Sequence, residues 1–159
     1  MKNKNTQDAY FAAGCFWGVQ ETFDRVKGVV ETEVGYAGGH TQHPSYKEVC
    51  GGATGHAETV HVVFDPSVVL FQDLLRVFWD VHDPTQVNRQ GPDVGEQYRS
   101  VIFTVSDEQL KEAQESKEAE SKKHSEPIAT AIEPFSNFFR AEEYHQHYLQ
   151  KNKDVVCNI

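Results

Sequence analysis

The chain has 159 residues, 38% hydrophobic and 11% aromatic, enough to build the core of one domain and too much for a disordered chain. Fifteen Lys and Arg stand against 24 Asp and Glu, a formal net charge of −9, the opposite of a generic nucleic-acid or anionic-membrane binder. No apolar run approaches the ~20 residues of a bilayer span, residues 1–8 lack the apolar stretch of a secretory signal, and three scattered cysteines (Cys15, Cys50, Cys157) exclude a disulfide scaffold. A single domain over 1–159 in a reducing, cytoplasmic compartment is expected, where a disulfide would be catalytic.

A short strand over 9–13 ends at Gly14. A helix over 16–26 follows, with Val19, Phe23 and Val26 on one face. Residues 29–36 alternate as a strand. Residues 37–55, rich in Gly, His, Thr and Ser, read as a long irregular loop of the kind that carries function. In 58–64, Glu58, Val60, Val62 and Phe64 share one strand face, and Thr59, His61 and Val63 the other. Asp65-Pro66 turns the chain into a helix over 71–81, which His82-Asp83-Pro84 ends. A second polar loop spans 85–98 and a strand spans 99–105. Ser106 opens a charged surface helix reaching about Lys123, with Asp107 and Glu108 in its first turn and Gln109 as the return partner of a capping box. A strand over 128–132, a helix over 141–151 and a tail over 152–159 complete the pattern. Uneven connections favour an α+β sandwich, a mixed sheet with helices mainly on one side and long functional loops, over a doubly wound parallel sheet.

Cys15 stands where a strand passes through Gly14 into a helix. Helix N-termini offer unpaired N–H groups and partial positive charge, which favour a thiolate. The alternative is a buried cysteine acting as a small hydrophobe. Phe16 and Trp17 either line an apolar pocket over the sulfur or belong to the core. Glu58 heads an apolar strand face. In water it is an ordinary carboxylate, whereas burial raises its pKa and makes it a proton donor. Tyr46 and Tyr98, in and at the end of the two loops, can donate to an oxygen that gains charge, and Asp93 is a turn residue by default. The pairs His40/His43, His56/His61 and His145/His147 match no zinc spacing, so no metal and no cofactor are expected.

The segment Gly14-Cys15-Phe16-Trp17-Gly18 resembles the type A peptide methionine sulfoxide reductases. So do Gly35-Tyr36-Ala37-Gly38-Gly39, Ser45-Tyr46, Cys50 and Thr54-Gly55-His56-Ala57-Glu58. The resemblance continues through His82-Asp83-Pro84-Thr85, Asn88-Arg89-Gln90-Gly91, Asp93-Val94-Gly95, Gln97-Tyr98-Arg99-Ser100 and Glu143-Tyr144-His145-Gln146, in family order over residues 10–150. Pro92 stands where Asn is commoner in the family. The resemblance implies a ferredoxin-like sheet core and metal-free reduction of the S epimer of methionine sulfoxide. Oxidised proteins and peptides and the free amino acid would be substrates, with thioredoxin as reductant.

It also implies that Cys15 is the nucleophile, that Phe16 and Trp17 hold the substrate methyl, and that Glu58 is the acid. Tyr46 and Tyr98 would bond the sulfoxide oxygen and Asp93 would support the site. The residues agree with that chemistry: a sulfoxide oxygen leaves only when protonated or strongly hydrogen-bonded, and a sulfenic acid condenses with a second thiol. Cys157, in the tail, is suited to resolve it, whereas Cys50, after apolar Val49, is expected to be structural. The competing readings are a cysteine hydrolase, which leaves both tyrosines idle, and a non-enzymatic redox sensor switching through Cys15 and Cys157. With no large exposed apolar stripe, a monomer is expected.

Overall fold

The structure is a computed structural model and describes residues 5–152. Strand β1 (Gln7–Ala13) runs into helix α1 (Phe16–Asp24), followed by β2 (Val29–Ala37), α2 (Tyr46–Cys50), β3 (Ala57–Phe64) and α3 (Phe71–Val81). A small hairpin, β4 (Arg89–Gln90) and β5 (Asp93–Val94), and a 3₁₀ turn (Glu96–Tyr98) precede β6 (Ser100–Thr104). Helix α4 (Asp107–Ser121), β7 (Ala131–Pro134), β8 (Phe138–Arg140), a 3₁₀ turn (Glu143–His145) and α5 (Tyr148–Lys151) follow.

The main sheet has the order β7-β6-β1-β3-β2-β8. Its pairs are antiparallel except β6 with β7. Inside it, β1-α1-β2-β3-α3-β6 forms a β-α-β-β-α-β unit in which β1 and β3 lie side by side at the centre. This is the ferredoxin-like α+β core expected of the chain.

Alternation along β3 sends Val60, Val62 and Phe64 into the main core. There they meet Val19 and Phe23 of α1 and Leu74, Leu75 and Phe78 of α3, all at most 1% exposed. Each such burial contributes ~1.5–3 kcal/mol. The other face carries a separate, smaller cluster that includes Tyr10, Ala12, Val101 and Phe103, against which Phe135 and Phe138 pack. The Tyr10 ring lies between His61 at 4.5 Å and Phe135 at 4.2 Å. Helix α4 starts at Ser106, whose Oγ accepts the Gln109 N–H, and it meets α3 where Trp79 Nε1 donates to Ser116 Oγ at 2.7 Å.

Several boundaries differ from expectation for identifiable reasons. The helix expected over 141–151 is broken. The Gln146 side chain accepts from Val34 N and donates to Val34 O, both at 2.9 Å, extending the β2 ladder beyond β8. This fixes Gln146 as extended, and His147 turns left-handed at φ 52°, so only a 3₁₀ turn and α5 are helical. The strand expected over 128–132 begins at Ala131, where parallel pairing with Val101 starts. Strand β8 was not anticipated, because three residues are too short for alternation to register. Loop 37–55 contains α2, whose start is a capping box of Ser45 and Glu48. The same loop is held by His56, which accepts from Gly39 N at 3.0 Å and donates to Thr41 O at 2.7 Å. A Cβ at Gly39 would lie 2.5 Å from that ring.

Candidate active site

The strand-to-helix turn places Cys15 at the N-cap of α1, partly buried and making no side-chain capping bond. Gly14 permits the turn through its φ of 101°. The backbone N–H of Phe16, in the first turn of α1, donates to Glu58 Oε1 at 3.2 Å. Glu58 reaches it from the start of β3, where it pairs with Tyr36 of β2, and it is only 2% exposed. Ladder register thus carries a carboxyl from the sheet centre to the residue next to Cys15.

Two phenols, Tyr46 and Tyr98, lie close enough to feel the charge of this carboxyl. Tyr46 opens α2, and its backbone N–H donates to Glu142 Oε2 at 2.9 Å, while Tyr36 Oη donates to Glu142 Oε1 at 2.9 Å. Glu142 therefore clamps Tyr36 and Tyr46 from beyond β8. Burial, and then the nearby Glu58 charge, push the Tyr46 and Tyr98 hydroxyls far above the ordinary phenol range, so both stay protonated donors. The charges of Asp93 and Cys15 add to the effect at Tyr98, which puts the two loops and the helix start in one neighbourhood. Asp93 is itself partly buried, and burial raises its pKa.

The apolar wall is built by rings. Phe16 is buried and faces Tyr36 at 5.8 Å, Tyr46 at 6.4 Å and His145 at 5.3 Å between centroids. Trp17 stacks on Tyr148 at 3.8 Å, with ring planes 9° apart. Its Nε1–H donates to His145 Nδ1 at 2.9 Å. His145 is fully buried, which lowers its pKa and keeps the ring neutral, as an Nδ1 acceptor must be.

The structure thus brings together Cys15, Phe16, Trp17, Tyr46, Glu58, Asp93 and Tyr98. Cys157 lies outside the described residues. Cys50, expected to be structural, ends α2 exposed, one helical turn beyond Tyr46. His145, Tyr148, Tyr36 and Glu142 were missed as site residues. The usable signal was the indole of Trp17, since a half-buried Trp N–H needs an acceptor. Among the described residues no group of three His, Cys, Asp or Glu is arranged to hold a metal, and no helix is long and apolar enough to cross a membrane.

A family model described as peptide methionine sulfoxide reductase matches residues 7–159. The chain belongs to this family. The matched span takes in Cys15, Glu58 and Cys157 alike. The peptide methionine sulfoxide reductase MsrA of Methanothermobacter thermautotrophicus is 61% identical over 155 residues, which cover 96% of this chain and 92% of that protein. Mxr1 from Saccharomyces cerevisiae in its reduced form superimposes with a TM-score of 0.94 at 41% identity, covering 99% of this chain and 91% of Mxr1. Mxr1 in complex with Trx2 matches with a TM-score of 0.67 at 29% identity, covering 92% and 87% of the two chains.

Proposed function

We propose that this chain, as one catalytic domain, reduces the S epimer of methionine sulfoxide, in proteins, in peptides and as the free amino acid, to methionine, and that thioredoxin recycles it. The observation that carries the reading is the bond between Glu58 and the first turn of α1. It fixes a deeply buried carboxyl beside a cysteine at a helix N-terminus, in the electrostatic neighbourhood of two phenols that burial keeps protonated.

Cys15 attacks the sulfoxide sulfur. Phe16 and the Trp17 indole receive the substrate methyl, which admits one configuration at sulfur. Negative charge grows on the sulfoxide oxygen as the S–O bond weakens. Tyr46 and Tyr98 donate to that oxygen, and Glu58, deeply buried beside the first turn of α1, supplies the proton. Asp93 supports Tyr98 from the hairpin. The attack forms a bond between the two sulfurs as the oxygen leaves as water. A water molecule then attacks the Cys15 sulfur and breaks that bond, so the net change is balanced: the Cys15 thiol becomes a sulfenic acid and the sulfoxide becomes a thioether. Cys157 then condenses with the sulfenic acid, forming a disulfide and releasing water, and the thioredoxin dithiol reduces that disulfide. The likeness to Mxr1 in complex with Trx2 supports this reductant. A thioredoxin-coupled cycle suits a monomer in the reducing cytoplasm.

The test is incubation of each sulfoxide epimer of a peptide with the protein and a dithiol, followed by mass spectrometry for loss of one oxygen. Reduction of the S epimer alone is expected, and it should vanish in Cys15→Ser. Turnover of both epimers, or activity in Cys15→Ser, overturns the assignment.

A further inference from the structure

We propose that Gln90 is a positioning residue for Cys15, locking the strand-to-helix turn to the hairpin that carries Asp93. The inference rests on Cys15 being the nucleophile and adds a residue that touches neither substrate nor reacting atoms.

Gln90 is 3% exposed although it lies in a two-residue strand whose neighbours Arg89 and Gly91 are exposed. Its side-chain amide is used at both ends. Oε1 accepts the Asp83 N–H at 3.0 Å, and Nε2 donates to the Asp83 carbonyl at 2.5 Å. One residue of the turn after α3 is thus paired by a side chain as though by a strand. The backbone of Gln90 pairs with Asp93 across the hairpin. Its methylenes lie against Gly14: a Cβ built there would sit 2.9 Å from Gln90 Cγ and 3.0 Å from Gln90 Cβ. Gly14 has φ 101° and immediately precedes Cys15.

These contacts form one mechanical chain. The Asp83 turn fixes the Gln90 amide, the amide fixes the methylenes, and the methylenes form the floor on which Gly14 turns. The same residue sets the register of Asp93, whose charge reaches Tyr98. Losing the amide bonds frees the floor, and the nucleophile then shifts relative to the oxygen-binding phenols. Misplacement of about 1 Å at a reacting atom can cost on the order of 100-fold. A purely structural glutamine would lower stability and leave the chemistry of the folded fraction intact.

The experiment uses Gln90→Met, which keeps an unbranched side chain against Gly14 and removes both hydrogen bonds, and Gln90→Glu, which keeps the acceptor for Asp83 N–H. Both are made in the full chain. Two quantities are read on folded protein: single-turnover methionine formation, split into maximal rate and half-saturating substrate, and the pH midpoint of Cys15 alkylation by iodoacetamide with Cys50 and Cys157 changed to Ser. Gln90→Met should lower the maximal rate at least tenfold, with less than a threefold change in half-saturation, and should raise the alkylation midpoint. Gln90→Glu should recover part of the rate. If Gln90→Met does not fold, Gln90→Glu is held to the same two readouts, with a smaller loss expected. A folded variant with wild-type maximal rate and midpoint, or a loss that merely follows the unfolded fraction, overturns the proposal. Activity surviving in Cys15→Ser would instead overturn the nucleophile assignment, so the two failures are distinguishable.

Discussion

Replacing His145 by Phe tests how Trp17 is aimed. The substituted ring preserves the packing among Phe16, Tyr46 and Tyr144, whose centroids lie 5.3, 4.3 and 4.0 Å from His145. What disappears is the acceptor 2.9 Å from Trp17 Nε1. A partly buried donor left without a partner costs ~1–3 kcal/mol. The indole avoids that cost by turning its N–H edge to water, which breaks its stack on Tyr148. At about 1.4 kcal/mol per factor of ten, the share of correctly aimed indole falls ~5- to 150-fold. Reduction of the S epimer should fall by the same factor in single-turnover assays, while thermal unfolding moves little. Trp17→Phe removes the donor, so His145→Phe made on that background should cost almost nothing further. If the two costs multiply independently in the double variant, the bond does not aim the indole. A second check is pH: protonation turns Nδ1 into a donor, and burial places that event below the ordinary histidine value, so the acid limb of the rate should lie there.

Glu58→Gln should slow the first chemical step ~10²- to 10⁴-fold, since an amide can accept the Phe16 N–H but cannot deliver a proton; a wild-type rapid-quench rate would remove Glu58 from the acid role. Cys157→Ser should form one equivalent of methionine quickly and then stall with thioredoxin, and a sulfenic-acid trap should label it well and wild type poorly; normal thioredoxin-driven turnover would point to another resolving cysteine, Cys50 being the obvious candidate. His61 bridges Asp8 at 2.8 Å and Glu33 at 3.1 Å. Burial alone would lower its pKa, yet the bonds and charges of Glu33 and Asp8 outweigh this and raise it. Its contribution is therefore complete below the unfolded value near 6.5 and lost as pH rises through the higher folded value, so the melting-temperature gap between wild type and His61→Gln should narrow with rising pH. His82 has the opposite sign: burial lowers its pKa to about 4, so stability should fall as pH drops from about 6.5 toward that value, and a His82→Asn melting profile should lack this acid slope.

The chain's own pattern determined much of this protein. Periods of 3.6 and 2 are local, so α1, α3 and β3 were legible from Val19/Phe23, from Phe71/Leu74/Leu75/Phe78 and from Glu58/Val60/Val62/Phe64. The residue types needed for sulfoxide chemistry were legible too, because Cys15 at a strand-to-helix turn and Glu58 on an apolar face are local facts. Tertiary structure decided everything that depends on one segment meeting another. Whether Glu58 faced water or the helix was open until β3 register carried it to the Phe16 N–H, 42 positions away in sequence. His145 looked like half of a poor metal pair until folding brought Trp17, 128 positions away, to its ring. The helix expected over 141–151 had good local propensity and lost to the Gln146 amide, which satisfies both backbone groups of Val34. Propensity differences are worth tenths of a kcal/mol per residue, whereas an unmade buried hydrogen bond costs ~1–3 kcal/mol, so the long-range partner prevails wherever the two disagree.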